Sequence, residues 1–186
     1  MKEIIRKIHA AERQLDSAIT LWFQDGDTVT AHTLACSAYQ IIHDINQNRK
    51  GRDLLLDTVI IKDEFRRDFI SRIKKSYNFF KHADKDPDPD GTIEFDPSLT
   101  EAFILFSIVG LELHGIKANS VRGAFIVYYG IHNPNILTEN GHKLFIQSIP
   151  SEQMSDIRNI EKNQFFENYL QLWGKFICLG HNSPFF

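Results

Sequence analysis

The chain should fold as an all-α helical bundle of about six or seven helices, interrupted by one short irregular acidic loop. Two features lead to that reading. Apolar residues recur at spacings of three and four along most of the sequence, the period of a helix with one buried face. The 6 prolines all fall between those stripes, sparing the helix interiors that could not accept them.

The first stripe is Ile4, Ile8, Ala11, Leu15, Ala18, Ile19 and Trp22, and Gln24-Asp25-Gly26-Asp27 ends it. Asp27 and Thr28 then supply caps for a second stripe, Ala31, Leu34, Ala35, Ala38, Ile41, Ile42 and Ile45, which closes near Asn48 and Gly51. The short link between them predicts an antiparallel hairpin. Leu54 to Ile61 is apolar and branched, compatible with a strand or a helical turn, and is read here as helix. Phe65, Phe69, Ile73, Tyr77 and Phe80 place a long third helix from Asp63 to about Ala83.

Pro87, Pro89, Gly91 and Pro97 bar helix from the loop that follows, with Thr92 to Phe95 briefly extended. Ser98 with Glu101 forms a capping-box pattern ahead of Ala102 to Leu113, apolar on nearly every side and so expected to be central. Val121 to Tyr129 and Gly141 to Ile149 are shorter candidates. Ile157, Ile160, Phe166, Tyr169, Trp173 and Phe176 mark one last long helix starting near Ser151, ahead of a His181-Asn182-Ser183-Pro184 tail.

A length of 186 residues suits a single domain spanning 1–186, and 42% hydrophobic residues with 15 Phe against 2 Met predict a core filled by aromatic rings. The formal charge of -3 excludes a chain-wide electrostatic grip on nucleic acid, so any such contact must come from a local patch. The charged N-terminus lacks the apolar centre of a signal peptide. The longest apolar run, Ala102 to Leu111, falls well short of the roughly 18 residues of a membrane span. Cys36 and Cys178 are far apart among apolar neighbours, as buried thiols are in a reducing compartment. A cytoplasmic protein with no membrane contact is expected.

The stretch Lys75 to Asp96 carries the most chemistry. At about 100° per residue, Phe65, Phe69, Ile73, Tyr77 and Phe80 share one side of the third helix, while Lys75, Asn78 and His82 cluster on the opposite side. A cation, an amide and an imidazole in one file suit phosphate binding with proton transfer near neutral pH. The bland alternative is a solvated polar face.

The opening hairpin, AERQLDSAITLWFQDGDTVTAHTLACSAYQIIHDINQNRKG, resembles the first two helices of HEPN domains, and NFFKH resembles the end of that family's motif, an Arg, four to six residues, then His. The resemblance covers about residues 11 to 83. It implies a helical bundle, a homodimer, and metal-independent cleavage of RNA; that no nucleotide cofactor is expected follows instead from the lack of dinucleotide and nucleoside-triphosphate motifs. Residue by residue, His82 takes the place of the motif His and Asn78 that of its polar residue. Where the tightest spacing has Arg, this chain has Tyr77. The six-residue spacing falls on Lys75, whose ammonium lacks the planar fork of a guanidinium, and Arg72 lies too far back. Catalysis would run by attack of a ribose 2′-hydroxyl on the adjacent phosphate, with His82 exchanging the proton and Lys75 stabilising charge.

Asp86-Pro87-Asp88-Pro89-Asp90-Gly91-Thr92-Ile93 fits the first eight positions of an EF-hand loop, which makes Asp86, Asp88 and Asp90 candidate ligands for calcium or another divalent cation. Position twelve is Pro97, where such sites place a bidentate Glu, and the two prolines hold the run extended. A non-catalytic interaction module is the function that goes with this reading. His32, Cys36, Tyr39 and His43 step along one line of the second helix; with no paired carboxylate-His motif they read as buried, hydrogen-bonded side chains rather than metal ligands, with His9, Glu12 and Asp16 as partners by position. Motifs for dinucleotides, nucleoside triphosphates, serine hydrolases and zinc ribbons are absent.

Overall fold

The structure, a computed structural model, describes residues 2–49, 75–82, 87–133 and 151–178, the side chains of 151–153 and 175–178 excepted. The segments read above at 54–61, 63–74 and 141–149, the tail, and residues Asp86 and Arg72 lie outside them. Among the described residues there are seven helices and no strand: the architecture is an all-α helical bundle. The helices are α1 (Lys7–Phe23), α2 (Thr28–Asn48), α3 (described over 75–81), α4 (Leu99–Leu113), α5 (Ser120–His132), α6 (Ser151–Arg158) and α7 (Lys162–Cys178). None of them is long and apolar enough to cross a membrane. By their contacts the residues group into two compact units, one of 1–22 and 26–116, the other of 23–25 and 117–186.

In the first unit, α1 buries Ala11, Leu15, Ala18 and Ile19 completely, as its stripe requires. Ile4 does not belong to that face: it precedes the helix and is 99% exposed. The end of α1 is a six-to-one closure in which the Gly26 N–H donates to the Leu21 carbonyl at 2.9 Å. Asp25 takes the left-handed position, φ 50°, that glycine usually fills. Gly26 serves a different need, since a Cβ there would lie 2.9 Å from Leu21 Cδ2.

Asp27 caps α2, its carboxylate accepting from the Thr30 N–H at 2.7 Å and from the Thr30 hydroxyl at 2.6 Å. The buried face of α2 is turned from the apolar stripe. Ala31, Ala35, Ala38 and Ile42 are buried as expected, and so, as expected, are His32, Cys36 and Tyr39; Asn46 is buried too, whereas Leu34, Ile41 and Ile45 are only half-buried. The turn follows from the partner: α2 packs on α4, whose aromatic Phe103 meets both Tyr39 and His32 edge-on at 5.4 Å.

The start of α4 differs from the capping box. Ser98 has helical backbone angles and makes no side-chain cap. Asp96 organises the entry, its carboxylate accepting the Ser98 N–H at 2.9 Å. Ser98 bonding holds that carboxyl below its ordinary pKa. Phe103, Ile104, Ile108 and Leu111 are buried, whereas Val109 and Leu113 are exposed, so the helix is not enclosed on every side as its apolar sequence predicts. At its far end Gly115, at φ 77°, allows the Ile116 N–H to reach the Leu111 carbonyl at 3.0 Å.

The second unit is aromatic. Phe23 stacks on Phe166 at 4.5 Å and meets Tyr128 edge-on at 5.6 Å, and Tyr128 in turn meets Phe165 at 5.1 Å. Asn119 caps α5 by accepting the Arg122 N–H at 3.0 Å. The single last helix expected from the stripe is two helices, α6 and α7. Asn159 breaks it: its side-chain amide donates to the Ser155 carbonyl at 3.0 Å, competing with the helix ladder, and the chain restarts with Glu161 accepting from the Phe165 N–H at 2.9 Å.

Candidate functional site

Within the first unit, helix α3 brings the sequence-derived residues together. Lys75 and Asn78 are exposed and His82 is half-buried at the helix end, its N–H donating to the Asn78 carbonyl at 2.9 Å. The inward face is not quite the one the stripe marks. Tyr77 and Phe80 are only half-buried, and the side chain sealed from solvent is Ser76, 3% exposed.

Burial of a hydroxyl demands a partner, and Ser76 has one in His32. The Ser76 oxygen lies 3.0 Å from His32 Nε2, and Thr100 Oγ1 on α4 lies 3.0 Å from Nδ1. Cys36 Sγ, one turn along α2, stands 3.4 Å from Nε2. Both ring nitrogens of this fully buried imidazole are thus used, while Phe80, Phe95 and Phe103 meet the ring edge-on at 6.0, 4.8 and 5.4 Å. Burial without a counter-charge pushes His32 down to about 4, so it is neutral at physiological pH, and burial raises the Cys36 thiol. A neutral imidazole with this low basicity is a weak base, and a raised thiol is an inert one. The cluster is a structural tie between α2, α3 and α4. The buried, hydrogen-bonded histidine expected on α2 is present, but its partners are hydroxyls of α3 and α4 rather than the polar residues of α1. Among the described residues no group of three His, Cys, Asp or Glu is placed to hold a metal ion.

One residue that the motif-based reading passed over stands beside His82. The Lys81 ammonium lies 2.7 Å from the Tyr77 hydroxyl, a bond in which Lys81 donates. Lys81 thereby sets its ammonium over the Tyr77 ring, 4.9 Å from the centroid, one turn back along the helix. The one available signal was the i, i+4 spacing of a tyrosine and a lysine on one helix.

Lys75 and Ser76 also form one wall of a cleft of about 440 Å³. Among the described residues, Ile93 to Asp96 and Leu99 also line it. In the acidic loop itself, Asp88 and Asp90 are exposed, and one Asp88 oxygen is engaged by the Asp90 N–H at 3.0 Å. Asp86, the first of the three candidate cation ligands, lies outside the described residues.

No family model, curated protein or solved structure matches this chain.

Proposed function

We propose that the chain is an HEPN-like helical domain that associates with RNA through the face of α3 bearing Lys75, Asn78, Lys81 and His82, and that it acts as a homodimer in which two such faces form one cleft. The feature that supports this reading is the file of an exposed ammonium, an exposed amide and an imidazole at Lys75, Asn78 and His82 on α3, with the exposed Lys81 next to Asn78 at i, i+3 spacing. Two exposed lysines, an amide and an imidazole within two turns supply charge, hydrogen bonding and a proton carrier for one phosphodiester. In the catalytic form of the proposal, His82 takes the proton of a ribose 2′-hydroxyl as that oxygen attacks the adjacent phosphorus, the bond to the 5′-oxygen breaks, and a proton returns to the leaving oxygen. Lys75 and Lys81 offset charge on the phosphate oxygens.

The test is to incubate structured and single-stranded RNA pools with the wild type and with His82→Ala. Cleavage that the substitution removes supports the ribonuclease; identical RNA patterns from the two proteins sink it, leaving binding alone to be measured.

A second reading, a non-catalytic module binding calcium or another divalent cation through Asp86, Asp88 and Asp90, is favoured by the exposure of Asp88 and Asp90 on one turn. Against it stands the Asp88 oxygen already used by that turn. An ion held only by the folded chain raises the melting midpoint, so equal midpoints in calcium and in EDTA would remove this reading.

A further inference from the structure

Beside the file of Lys75, Asn78 and His82 stands a side chain that the functional reading leaves out. Phe79 is 38% exposed, although the other two aromatic residues described on α3, Tyr77 and Phe80, are half-buried. Lys75, Phe79 and His82 are spaced i, i+4 and i+7, which puts them within about 60° of one another around the helix, with Asn78 adjoining. Among the described residues of α3, the other exposed side chains, Lys75, Asn78 and Lys81, are all polar. An aromatic ring therefore stands in solvent amid an ammonium, an amide and an imidazole.

The ring is held in place. Phe80 meets it edge-on with centroids 5.8 Å apart, and Phe80 is itself met edge-on by Phe95 at 5.1 Å and by the buried His32 at 6.0 Å. Such a contact engages either an edge or one face of Phe79, so one face is left for a flat partner. An aromatic platform flanked by cations matches a ligand that joins flat bases through anionic phosphates. In duplex RNA the base faces are closed against one another, whereas an unpaired base is free to stack on a side chain. A base lying on Phe79 has a phosphate to either side along the strand, and Lys75 lies one turn before the ring and His82 one turn after it. An apolar protein groove would take the ring but give the flanking cations nothing, so charge favours the nucleic acid.

We infer that the α3 face binds single-stranded RNA, with one unpaired base stacked on Phe79 and the adjoining phosphates directed to Lys75 and His82. This inference rests on the RNA-binding reading and names its substrate class, unpaired strands rather than duplex.

The experiment is fluorescence anisotropy of the full chain, at physiological ionic strength, with three end-labelled probes of one length: a single RNA strand of mixed sequence, the duplex it forms with its complement, and an abasic ribose–phosphate strand. The base-bearing single strand should bind more tightly than the other two. Phe79→Leu should weaken single-strand binding by about five- to a hundredfold, the loss of one base–aromatic stack. It should leave the salt dependence and the affinity for the abasic strand unchanged, because it removes no phosphate contact. Phe79→Trp, with a larger stacking surface, should bind at least as tightly as the wild type. A circular dichroism melt checks that both variants fold, and the comparison of the three probes on the wild type needs no substitution. A duplex or an abasic strand bound as tightly as the single strand, or a folded Phe79→Leu with unchanged affinity, would overturn this inference and leave the RNA-binding face standing. Failure of the wild type to bind any of the three probes would overturn both.

Discussion

Ser76 Oγ lies 3.0 Å from His32 Nε2, with both side chains buried and 44 positions apart in sequence. Removing either partner should be costly, but unequally. His32→Ala strips three aromatic neighbours of a ring and leaves two buried hydroxyls without it, for an expected loss of about 2–4 kcal/mol. Ser76→Ala leaves the ring with Thr100 and Cys36 and should cost about 1 kcal/mol. Urea unfolding of both variants checks the order; equal losses would mean that His32 is not the centre of the cluster.

The same imidazole makes stability depend on pH. Its folded value, about 4, lies below the ordinary 6.5 because burial disfavours the cation. Between those values the unfolded chain binds more protons than the folded one, so stability rises with pH there. The stabilisation is complete above about pH 6.5 and fades as pH falls towards 4, with an upper size of roughly 3 kcal/mol. Urea midpoints at pH 7, 5.5 and 4.5 should fall in that order. His32→Gln, which carries no titrating ring, should flatten the slope over this window.

Gly115 gives a prediction about backbone alone. A Cβ there meets nothing within 4 Å, yet φ is 77°. Gly115→Ala should therefore destabilise by about 1 kcal/mol through conformation, and Gly115→Asn by less, since asparagine tolerates that region. Thermal melts of the pair decide it, and equal effects would point to a packing cause instead.

Lys81 should matter to RNA more than to folding. Lys81→Met gives up one exposed bond to Tyr77 and should leave the melt nearly unchanged. If its charge contacts phosphate, the variant should bind single-stranded RNA more weakly and its affinity should depend less on salt, by about 1 in the log–log slope. An unaltered salt slope would place the contact elsewhere on the chain.

Most helices were legible in the sequence because each is a local pattern. The stripe of α1 marks the residues that are buried, and Asp27 sits where a cap is needed and acts as one. The failures share a cause. Ser98 and Glu101 have capping-box spacing, but Asp96, two residues upstream, bonds Ser98 first. Asn159 looks like an ordinary helical residue until its amide is seen on the Ser155 carbonyl. Ser76 is a small polar residue beside an apolar stripe, and nothing local reveals that a histidine on α2 draws it inward. Lys75, Asn78 and His82 were found as one file, whereas the cleft beside Lys75 is assembled from a loop about twenty residues further on, beyond the reach of helical periodicity.

The His32 cluster also sets an order of events in time. Its two hydroxyl partners are 44 and 68 residues away along the chain, so neither bond can form until two large loops have closed. Closing them costs entropy before the imidazole returns anything. Bonds made after the folding barrier slow unfolding rather than speed folding. The histidine that holds three helices together should therefore act as a latch on escape from the native state, and its loss should be felt first as a shorter native lifetime.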